Sequence, residues 1–326
     1  MNEVALKNTA AKKKKRELGA ADIVFLVLCV LPIIAMIVLK VLFTPQTDGV
    51  NIAGALIYFT VPMPFGTKLP ITESQVNSWL VILSIFWLCK FLTHGMTVRG
   101  KGVRQIFAEL IVEKTEKLVH ADMDPYFNGF APFIAAIMAL SAFSSLLSLF
   151  GLYAPTSDLN VVAGWAVLVF CLITYYKCKC GPLQYLKSFA QPAPLLSPLN
   201  ILGQIGQWIA PLLTPLNIIS EFATPVSMAF RHYGNVLSGS VISVLVAAGL
   251  SGLSKLVLGW LPGALGEIPF LQIGIPAVLS VYFDVFSGLL QAFIFAMLTM
   301  LYVSGGFPAE LYYKRKEKHK KQSVNN

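Results

Sequence analysis

Six long apolar stretches dominate this chain and limit it to structures that a lipid bilayer can surround. They are Ala21–Phe43, Val76–Leu92, Gly129–Phe150, Val161–Tyr176, Leu199–Leu250 and Leu271–Val303. A membrane-spanning helix needs about 20 mainly apolar residues to cross the hydrocarbon core. Only 13% of the residues are charged, whereas a soluble domain has about a quarter. The sequence therefore predicts an all-α polytopic membrane protein with six transmembrane segments.

The last two apolar stretches, Leu199–Leu250 and Leu271–Val303, are longer than an upright span requires. A spanning helix with excess length accommodates it by tilting or bending, and part of the stretch can also lie on the membrane surface. We therefore predict that the last two transmembrane segments are long and tilted.

The first apolar stretch follows five consecutive basic residues, Lys12–Arg16. A secretory signal peptide also begins in this way, but its apolar core is shorter and ends in a small-residue cleavage site. We find no such site after Phe43, so we predict a retained span, with a cleaved signal peptide as the alternative. The loop that follows contains Ile52–Val61, a short segment that we expect on the membrane surface.

An amphipathic helix is predicted between the second and third spans, at Gly102–Val119. Its apolar residues recur at helical spacing, and charged residues fill the positions between them; the apolar positions are 103, 106, 107, 110, 111 and 118. This pattern is typical of a helix that lies along the membrane surface instead of crossing it.

The basic residues are distributed very unevenly between the two sides of the predicted topology. Of the 25 Lys and Arg residues, 20 fall in the termini and loops on the N-terminal side, and the opposite loops contain only Lys68 and Lys255. Cytoplasmic loops of membrane proteins carry the excess of Lys and Arg. We therefore predict that both termini are cytoplasmic, with a basic tail at 305–326, and that the net charge of +9 does not indicate nucleic-acid binding.

Three ionisable residues remain inside the last two segments: Glu221, Arg231 and Asp284. A guanidinium does not lose its proton in a protein, and a charged side chain at the centre of a spanning helix costs about 2.5–3.5 kcal/mol. Long basic side chains relieve that cost by reaching the headgroups, but only from positions near helix ends. Because Arg231 lies well inside an apolar run, the pattern favours a functional role for it.

Helical spacing places one polar stripe on each of the last two segments. The fifth segment carries Ser227, Arg231, Asn235 and Ser238 on one face, and the sixth carries Asp284, Gly288 and Gln291, with Ser287 beside them. Polar groups in lipid find partners across neighbouring helices. We therefore expect the two stripes to face each other across a helical hairpin.

The positions of the two acids relative to Arg231 predict two offset ion paths. Glu221 lies ten residues before Arg231, or about 15 Å toward the cytoplasm, and Asp284 lies in the outer half, with Gln291 near the level of Arg231. An acid reachable from each side, with a fixed positive charge between them, suits two half-paths separated by a cation. On spacing alone, a buried Asp284–Arg231 ion pair that fixes helix packing stays open as an alternative.

Other chemistry has little support in the sequence. We find no metalloprotease, nucleophile-elbow or P-loop motif, so an embedded enzyme is disfavoured and no catalytic residue or cofactor is predicted. Cys178 and Cys180 form a close pair, but no accompanying His and Cys set predicts a metal site. His232 points about 100° away from Arg231 around the helix, and both a functional role and a role in packing or interhelical hydrogen bonding stay open for it.

Three motifs, in order, resemble those of subunit a of F-type ATP synthases. The first is Pro215–Asn235, with a proline, a Glu and a second proline before an Arg that is followed by Gly-Asn; the others are Pro155–Asn160 and Leu290–Phe295. The resemblance covers about 76–304, which is taken as the core. Residues 1–75, with the basic N-terminus, the first span and an external loop, lie outside it.

The resemblance implies a stator subunit in the plasma membrane that provides two half-channels for H⁺ to and from the carboxylates of a c-subunit ring. It implies that a b-subunit peripheral stalk and the remainder of the ATP synthase are partners, and that the subunit is not itself an enzyme. Arg231 matches the essential arginine, Asn235 and Gln291 match polar positions beside it, Asp284 matches the outer acid, and Glu221 matches the acid on the cytoplasmic side.

Two positions depart from the family pattern. Ser240 stands where many members carry Glu or His, and His232 replaces the usual apolar residue after the arginine. Loss of a titratable group at 240 keeps Na⁺ open as the alternative ion, because an ion path for Na⁺ needs oxygen ligands instead of proton relays. A secondary transporter for an anionic solute is the other alternative, although the repeated halves typical of such transporters are not recognisable.

Overall fold

The computed structural model describes residues 19–43, 54–63, 68–97, 102–179, 185, 200–258, 274–310, 312–314 and 317. Six helical segments within these residues are long and apolar enough to cross a membrane, which confirms the predicted number of spans. The N-terminal basic residues, most of the chain between the fourth and fifth spans and most of the C-terminal tail lie outside the described residues.

The helices follow the predicted stretches closely and begin or end within a few residues of them. They are α1 (Ala20–Phe43), α2 (Glu73–Thr93), α3 (Val103–Asp122), α4 (Ala131–Leu146), α5 (Leu159–Cys178), α6 (Asn200–Leu258), α7 (Ile275–Ser280) and α8 (Gly288–Gly306). Short 3₁₀ turns, Pro125–Phe130 and Leu147–Phe150, extend α4 at both ends. A third 3₁₀ turn, Pro155–Ser157, precedes α5.

Helix α6 is far longer than the membrane is thick. It is continuous over 59 residues, which at about 1.5 Å per residue gives a length of about 88 Å. A hydrocarbon core of about 30 Å cannot contain such a helix upright. Its length agrees with the predicted long and tilted fifth segment.

The stretches Leu199–Leu250 and Leu271–Val303 predict a loop between them, at Ser251–Phe270. The first part of this prediction is wrong, because α6 continues to Leu258. Apolar residues continue at helical spacing there, and no proline interrupts them; Ser254 is fully buried. The helix therefore keeps both its hydrogen bonding and a packed face beyond the predicted end. The rest of that predicted loop lies outside the described residues.

A two-stranded antiparallel sheet is a departure from the helical pattern. Strand β1 (Ile57–Pro62) pairs with β2 (Lys68–Thr72), and the register joins Val61 to Leu69. The hairpin lies between α1 and α2, and the rings of Phe43 and Tyr58 are 4.9 Å apart. The described part of the segment that we predicted on the membrane surface is therefore a strand, packed against the end of the first span.

Contacts between helix ends show the alternating arrangement of the spans. At one end, Asp22 of α1 pairs with Arg104 at the start of α3 (2.8 Å) and with His94 after α2 (3.0 Å). At the other end, the Lys40 ammonium donates to the carbonyl oxygen of Gly151. Asp22 is only 6% exposed, so the Arg104 guanidinium and the hydrogen bond with the His94 ring offset the cost of burying a carboxylate. The first span is thereby tied to the second and to the surface helix.

Helix α3 confirms the predicted amphipathic helix. Its apolar residues form an exposed stripe that includes Val103, Ile106, Phe107, Leu110 and Ile111. Its opposite side packs on the protein, where Ala108 and Val119 are buried. An exposed apolar stripe of this kind is suited to lipid at the membrane surface.

The main core lies where α3, α4, α5, α6 and α8 meet. Its fully buried members include Ile134 of α4, Val162 and Val169 of α5, and Ala296 and Met300 of α8. Met228 and Ala229 of α6 complete this core. The core therefore holds one face of α6 and leaves another face uncovered.

Candidate ion-translocation site

Arg231 lies on the uncovered face of α6. The side chains of Ser227, Arg231 and Ser238 are exposed, whereas Met228 and His232 are buried. Helical periodicity explains this contrast, because residues one position apart differ by about 100° around the axis. The predicted polar stripe on the fifth segment is therefore present; Ser227, Arg231 and Ser238 point away from the protein core, whereas Asn235 is half-buried.

The two polar stripes meet at Asn235 and Ser287. The Ser287 hydroxyl donates to Asn235 Oδ1 at 3.1 Å, and Asn235 Nδ2 donates to the Ser287 carbonyl oxygen at 3.4 Å. The backbones approach closely nearby, since a Cβ on Gly239 would lie 3.1 Å from Cβ of Phe283. Asn235 and Ser287 thus join α6 to the last segment, as expected for buried polar groups in lipid.

Asp284 lies in a π-helical turn, Val281–Ser287, between α7 and α8. We predicted Asp284, Gly288 and Gln291 on one face from regular α-helical spacing, and this spacing does not hold across the turn. The turn inserts i→i+5 hydrogen bonding and changes the angle between successive side chains. Asp284 is half-buried, whereas Gly288 and Gln291 are buried.

The alternative of a buried Asp284–Arg231 ion pair has no support in the described residues. Arg231 is exposed and forms no ion pair with a described carboxylate. Ser240 is half-buried, and its hydroxyl donates to the Leu237 carbonyl oxygen at 2.8 Å within the helix. The arginine is therefore available to a partner outside this chain.

His232 has an interhelical role. It is fully buried, and its Nε2 lies 3.1 Å from the Ser141 hydroxyl of α4. The ring packs edge-on against Trp165 (5.9 Å between centroids) and Phe295 (5.3 Å). Of the two interpretations left open by the sequence, the geometry favours packing and hydrogen bonding between helices.

A group of buried hydroxyls on α4 escaped the sequence analysis. Ser141, Ser144 and Ser145 are at most 2% exposed, and Ser145 lies 3.4 Å from the hydroxyl of the equally buried Thr156. Gln291 of α8 is also buried, at 3% exposed. The signal was present as serines at i, i+3 and i+4 in an apolar stretch, because this spacing places all three on one helix face.

Glu221 has a partner that the sequence analysis also missed. Lys177, in the last turn of α5, donates to both carboxylate oxygens of Glu221 at 2.6 and 2.8 Å. The Tyr185 hydroxyl also contacts Glu221, at 3.3 Å. Burial and the neighbouring carboxylate raise the pKa of Tyr185 to about 12, so this phenol stays protonated and able to donate.

The Pro155–Asn160 motif has a local structural role. The Asp158 side chain caps α5 by accepting from the backbone N–H of Asn160 at 3.0 Å, and it also accepts from the Ser74 hydroxyl of α2. A carboxylate at a helix N-terminus is favoured by the exposed N–H groups there. The motif therefore fixes the start of α5 against α2. Within the described residues, no group of three or more His, Cys, Asp or Glu could hold a metal ion.

Comparison with known proteins places these features in a family. The family model described as ATP synthase A chain matches residues 75–304. ATP synthase subunit a of Legionella pneumophila (strain Paris) is 25% identical over 243 residues, which are 74% of this chain and 89% of the relative. The subunit a of Bacillus pumilus is 29% identical over 244 residues, covering 69% and 89% respectively.

A third relative, from Propionigenium modestum, is described as ATP synthase subunit a, sodium ion specific. It is 26% identical over 285 residues, which are 78% of this chain and 85% of the relative. The region that the family model matches contains the polar stripe of α6, the π-helical turn and the buried hydroxyl groups of α4. With the family model spanning more than half of the sequence, this chain belongs to the ATP synthase A chain family, the family of subunit a of F-type ATP synthases.

Proposed function

We propose that this membrane-sector subunit provides two half-channels through which H⁺ reaches and leaves the carboxylates of a rotating c-subunit ring. The observation that carries the proposal is Arg231, a charged residue in an apolar span that is exposed and has no described carboxylate partner. A charged side chain inside the membrane carries a free-energy cost, and an oppositely charged partner from another subunit would offset it. A ring carboxylate passing the exposed face of α6 supplies one.

The electrostatic role of Arg231 follows from its position between two acids. When a protonated ring carboxylate approaches, the guanidinium favours the charged form, and the proton leaves. The same positive charge repels a cation that would cross directly from one half-channel to the other. Ion flow is thereby coupled to movement of the ring, and the subunit itself carries out no covalent chemistry.

The outer half-channel is proposed to lie around the π-helical turn. Asp284 is its acid, with Ser240, Asn235 and Gln291 as polar lining. The buried serines of α4 border the same region, because a Cβ on Gly288 would lie only 2.8 Å from Cβ of Ser145. These hydroxyls, and His232 through its bond to Ser141, keep this part of the helix bundle polar. Glu221 marks the inner half-channel, about 15 Å along α6 from Arg231.

We propose the partners and location that accompany this role. The c-subunit ring lies against the exposed face of α6, and the b-subunit peripheral stalk and the remainder of the ATP synthase complete the assembly. The membrane is the plasma membrane, with both termini in the cytoplasm, where the Lys- and Arg-rich loops belong. Residues 1–75, including α1, are an addition to the 76–304 core.

Arg231→Ala tests the proposal. We expect ATP-driven H⁺ pumping by inverted membrane vesicles to be abolished, because the ring carboxylate is no longer induced to release its ion. Side chains around Arg231 on the exposed face make few contacts within the chain, so the complex should still assemble and co-purify with the c ring. Full pumping by an assembled Arg231→Ala complex would refute the mechanism. Failure of the wild-type chain to co-purify with a c ring would instead favour a secondary transporter.

Na⁺ is the second candidate ion, and two observations favour it. Ser240 presents a hydroxyl in place of a titratable group, and one relative is described as sodium ion specific. Oxygen ligands from hydroxyl, amide and carboxylate groups suit a hard monovalent cation. If Na⁺ is the ion, ATP hydrolysis by the whole complex should rise with Na⁺ at alkaline pH. A rate that does not respond to Na⁺ under these conditions would leave H⁺ as the ion.

A further inference from the structure

The Lys177–Glu221 pair is the best-formed ion pair between two spans in the described residues. Both carboxylate oxygens accept from the same ammonium, at 2.6 and 2.8 Å. The side chains are mostly buried, with 24% of Lys177 and 17% of Glu221 exposed. With the Tyr185 hydroxyl on the same carboxylate, Glu221 has three hydrogen bonds and a fully compensated charge.

Gly306 makes room for this pair. A Cβ on Gly306 would lie 2.9 Å from Cε and 3.1 Å from Cγ of Lys177, whereas a Cβ on the neighbouring Gly305 would meet nothing within 4 Å. The Lys177 side chain therefore crosses the end of α8 in close contact with Gly306, and a larger residue there would displace it. This close approach directs the ammonium toward Glu221 on α6.

The ion pair borders a cavity of about 220 Å³ between α5, α6 and α8. Lys177, Glu221, Thr224 and Tyr302 are among the residues that line it. One water molecule needs on the order of 10–15 Å³ of such space, so the cavity has room for several. It lies toward the same end of the bundle as the last turn of α5, on the Glu221 side of Arg231.

The charges in this cavity determine how an ion can pass. A lone carboxylate in a partly buried site attracts and retains a cation, and the lysine opposite cancels that attraction. Among the described residues, the other charged and titratable side chains facing Glu221 are those of Lys177 from α5, Tyr185, and Tyr302 from α8. Lys177 is the cation among them, so the net charge of the cavity wall depends on it.

We propose that Lys177 is a positioning residue of the inner half-channel. It holds the Glu221 carboxylate across Gly306, so that the cavity presents a hydrated and electrically neutral wall to the passing ion. Glu221 then acts as part of this wall and does not itself carry the ion. The inference rests on the proposed function, since it concerns the path between the ring and the cytoplasm.

The test uses Lys177→Met, Glu221→Gln and the double variant in the whole complex, with ATP-driven pumping by inverted vesicles as the measurement. Lys177→Met leaves an uncompensated carboxylate, and we expect pumping per assembled complex to fall about tenfold, or about 1.4 kcal/mol in barrier height. The double variant removes both charges and should recover most of that loss. Lys177→Arg, which keeps the cation, should also retain pumping.

The opposite pattern would overturn the inference. If Glu221→Gln alone abolishes pumping and the double variant is equally inactive, Glu221 carries the ion. If all of these variants pump like the wild type, the pair has no role in the path. A merely structural ion pair is separated by stability, because removal of one partner of a buried pair destabilises the fold and removal of both costs less. If thermal unfolding of the purified complexes shows that Lys177→Met loses assembly or stability in proportion to its loss of pumping, the role is structural and the inference is overturned; the inference expects reduced pumping by a complex that is assembled and stable.

A matched pair of glycine variants tests the positioning without removing a charge. Gly306→Ala displaces the Lys177 stem and should lower pumping, whereas Gly305→Ala, one residue away on the same helix, should not. Equal pumping by the two would refute the role assigned to Gly306. Arg231→Ala, measured in the same vesicles, separates the two proposals. If it pumps, the proposed function fails; if it is inactive while Lys177→Met is unaffected, only this inference fails.

Discussion

Gly288→Ala gives a direct test of how the outer half of the bundle is packed. Gly288 begins α8 immediately after the π-helical turn and is fully enclosed against α4. An added Cβ would lie 2.8 Å from Cβ of Ser145 and 4.0 Å from the Phe283 carbonyl oxygen. Carbon atoms in contact prefer a separation of about 3.5–4.0 Å. The two helices must therefore move apart by roughly 1 Å.

Two opposing effects determine how much Gly288→Ala changes the stability of the complex. Overpacking of a well-packed core costs about 1–3 kcal/mol. Ala stabilises a helix interior by up to about 1 kcal/mol relative to Gly. Since Cβ of Ser145 is fixed to the backbone and cannot rotate away, the overpacking cost lies in the upper part of its range. We expect a net destabilisation of about 1–2 kcal/mol.

The assay is thermal unfolding of the purified complex, with ATP-driven pumping measured alongside. Gly164→Ala on α5 is the matched control, because a Cβ there would meet nothing within 4 Å; this variant should be neutral or slightly more stable. The double variant Gly288→Ala with Ser145→Gly removes the clash and should recover stability. A Gly288→Ala complex that is as stable as the Gly164→Ala complex would refute the close packing of α4 against α8.

Two further predictions concern polar groups. Ser287→Ala removes the hydroxyl group that donates to Asn235 Oδ1. We expect the purified complex to lose about 0.6–1.7 kcal/mol of stability, measured by its unfolding. An unchanged stability would indicate that water replaces this hydrogen bond. Burial, followed by the nearby Glu73 carboxylate, raises the pKa of Tyr58 from 10.0 to about 12. The folded state therefore favours the neutral phenol, and its stabilising contribution is complete below pH 10 and is lost as the pH rises through 12. Tyr58→Phe should remove this part of the alkaline destabilisation, and an unchanged pH profile of unfolding would contradict it.

The sequence was sufficient for the number, order and approximate ends of the spans. Apolar stretches of sufficient length have few alternatives in a bilayer, because every backbone polar group must be paired within the segment. Helical periodicity also placed Arg231 and His232 about 100° apart around the helix, but it did not say which of the two faces the core. These are properties that successive residues along one helix determine together.

The hairpin, the π-helical turn and the extension of α6 to Leu258 could not be predicted in the same way. Strand Ile57–Pro62 is short and lies beside a long span that dominates the local hydropathy. The π-helical turn has the same composition as an α-helix, and its hydrogen bonds are visible only in three dimensions. In each case, the local sequence pattern was compatible with more than one backbone conformation.

By itself, the sequence determined that this protein crosses the membrane six times and that a charged arginine lies within the fifth span, because hydrophobic length and charge are properties of the chain. Only the tertiary structure decided which groups meet: Ser287 with Asn235, His232 with Ser141, and Lys177 with Glu221 through the space left by Gly306. The physical reason is that these pairs are separated by 44 to 91 residues along the chain. Their contact depends on how the helices cross, which no spacing within one helix specifies.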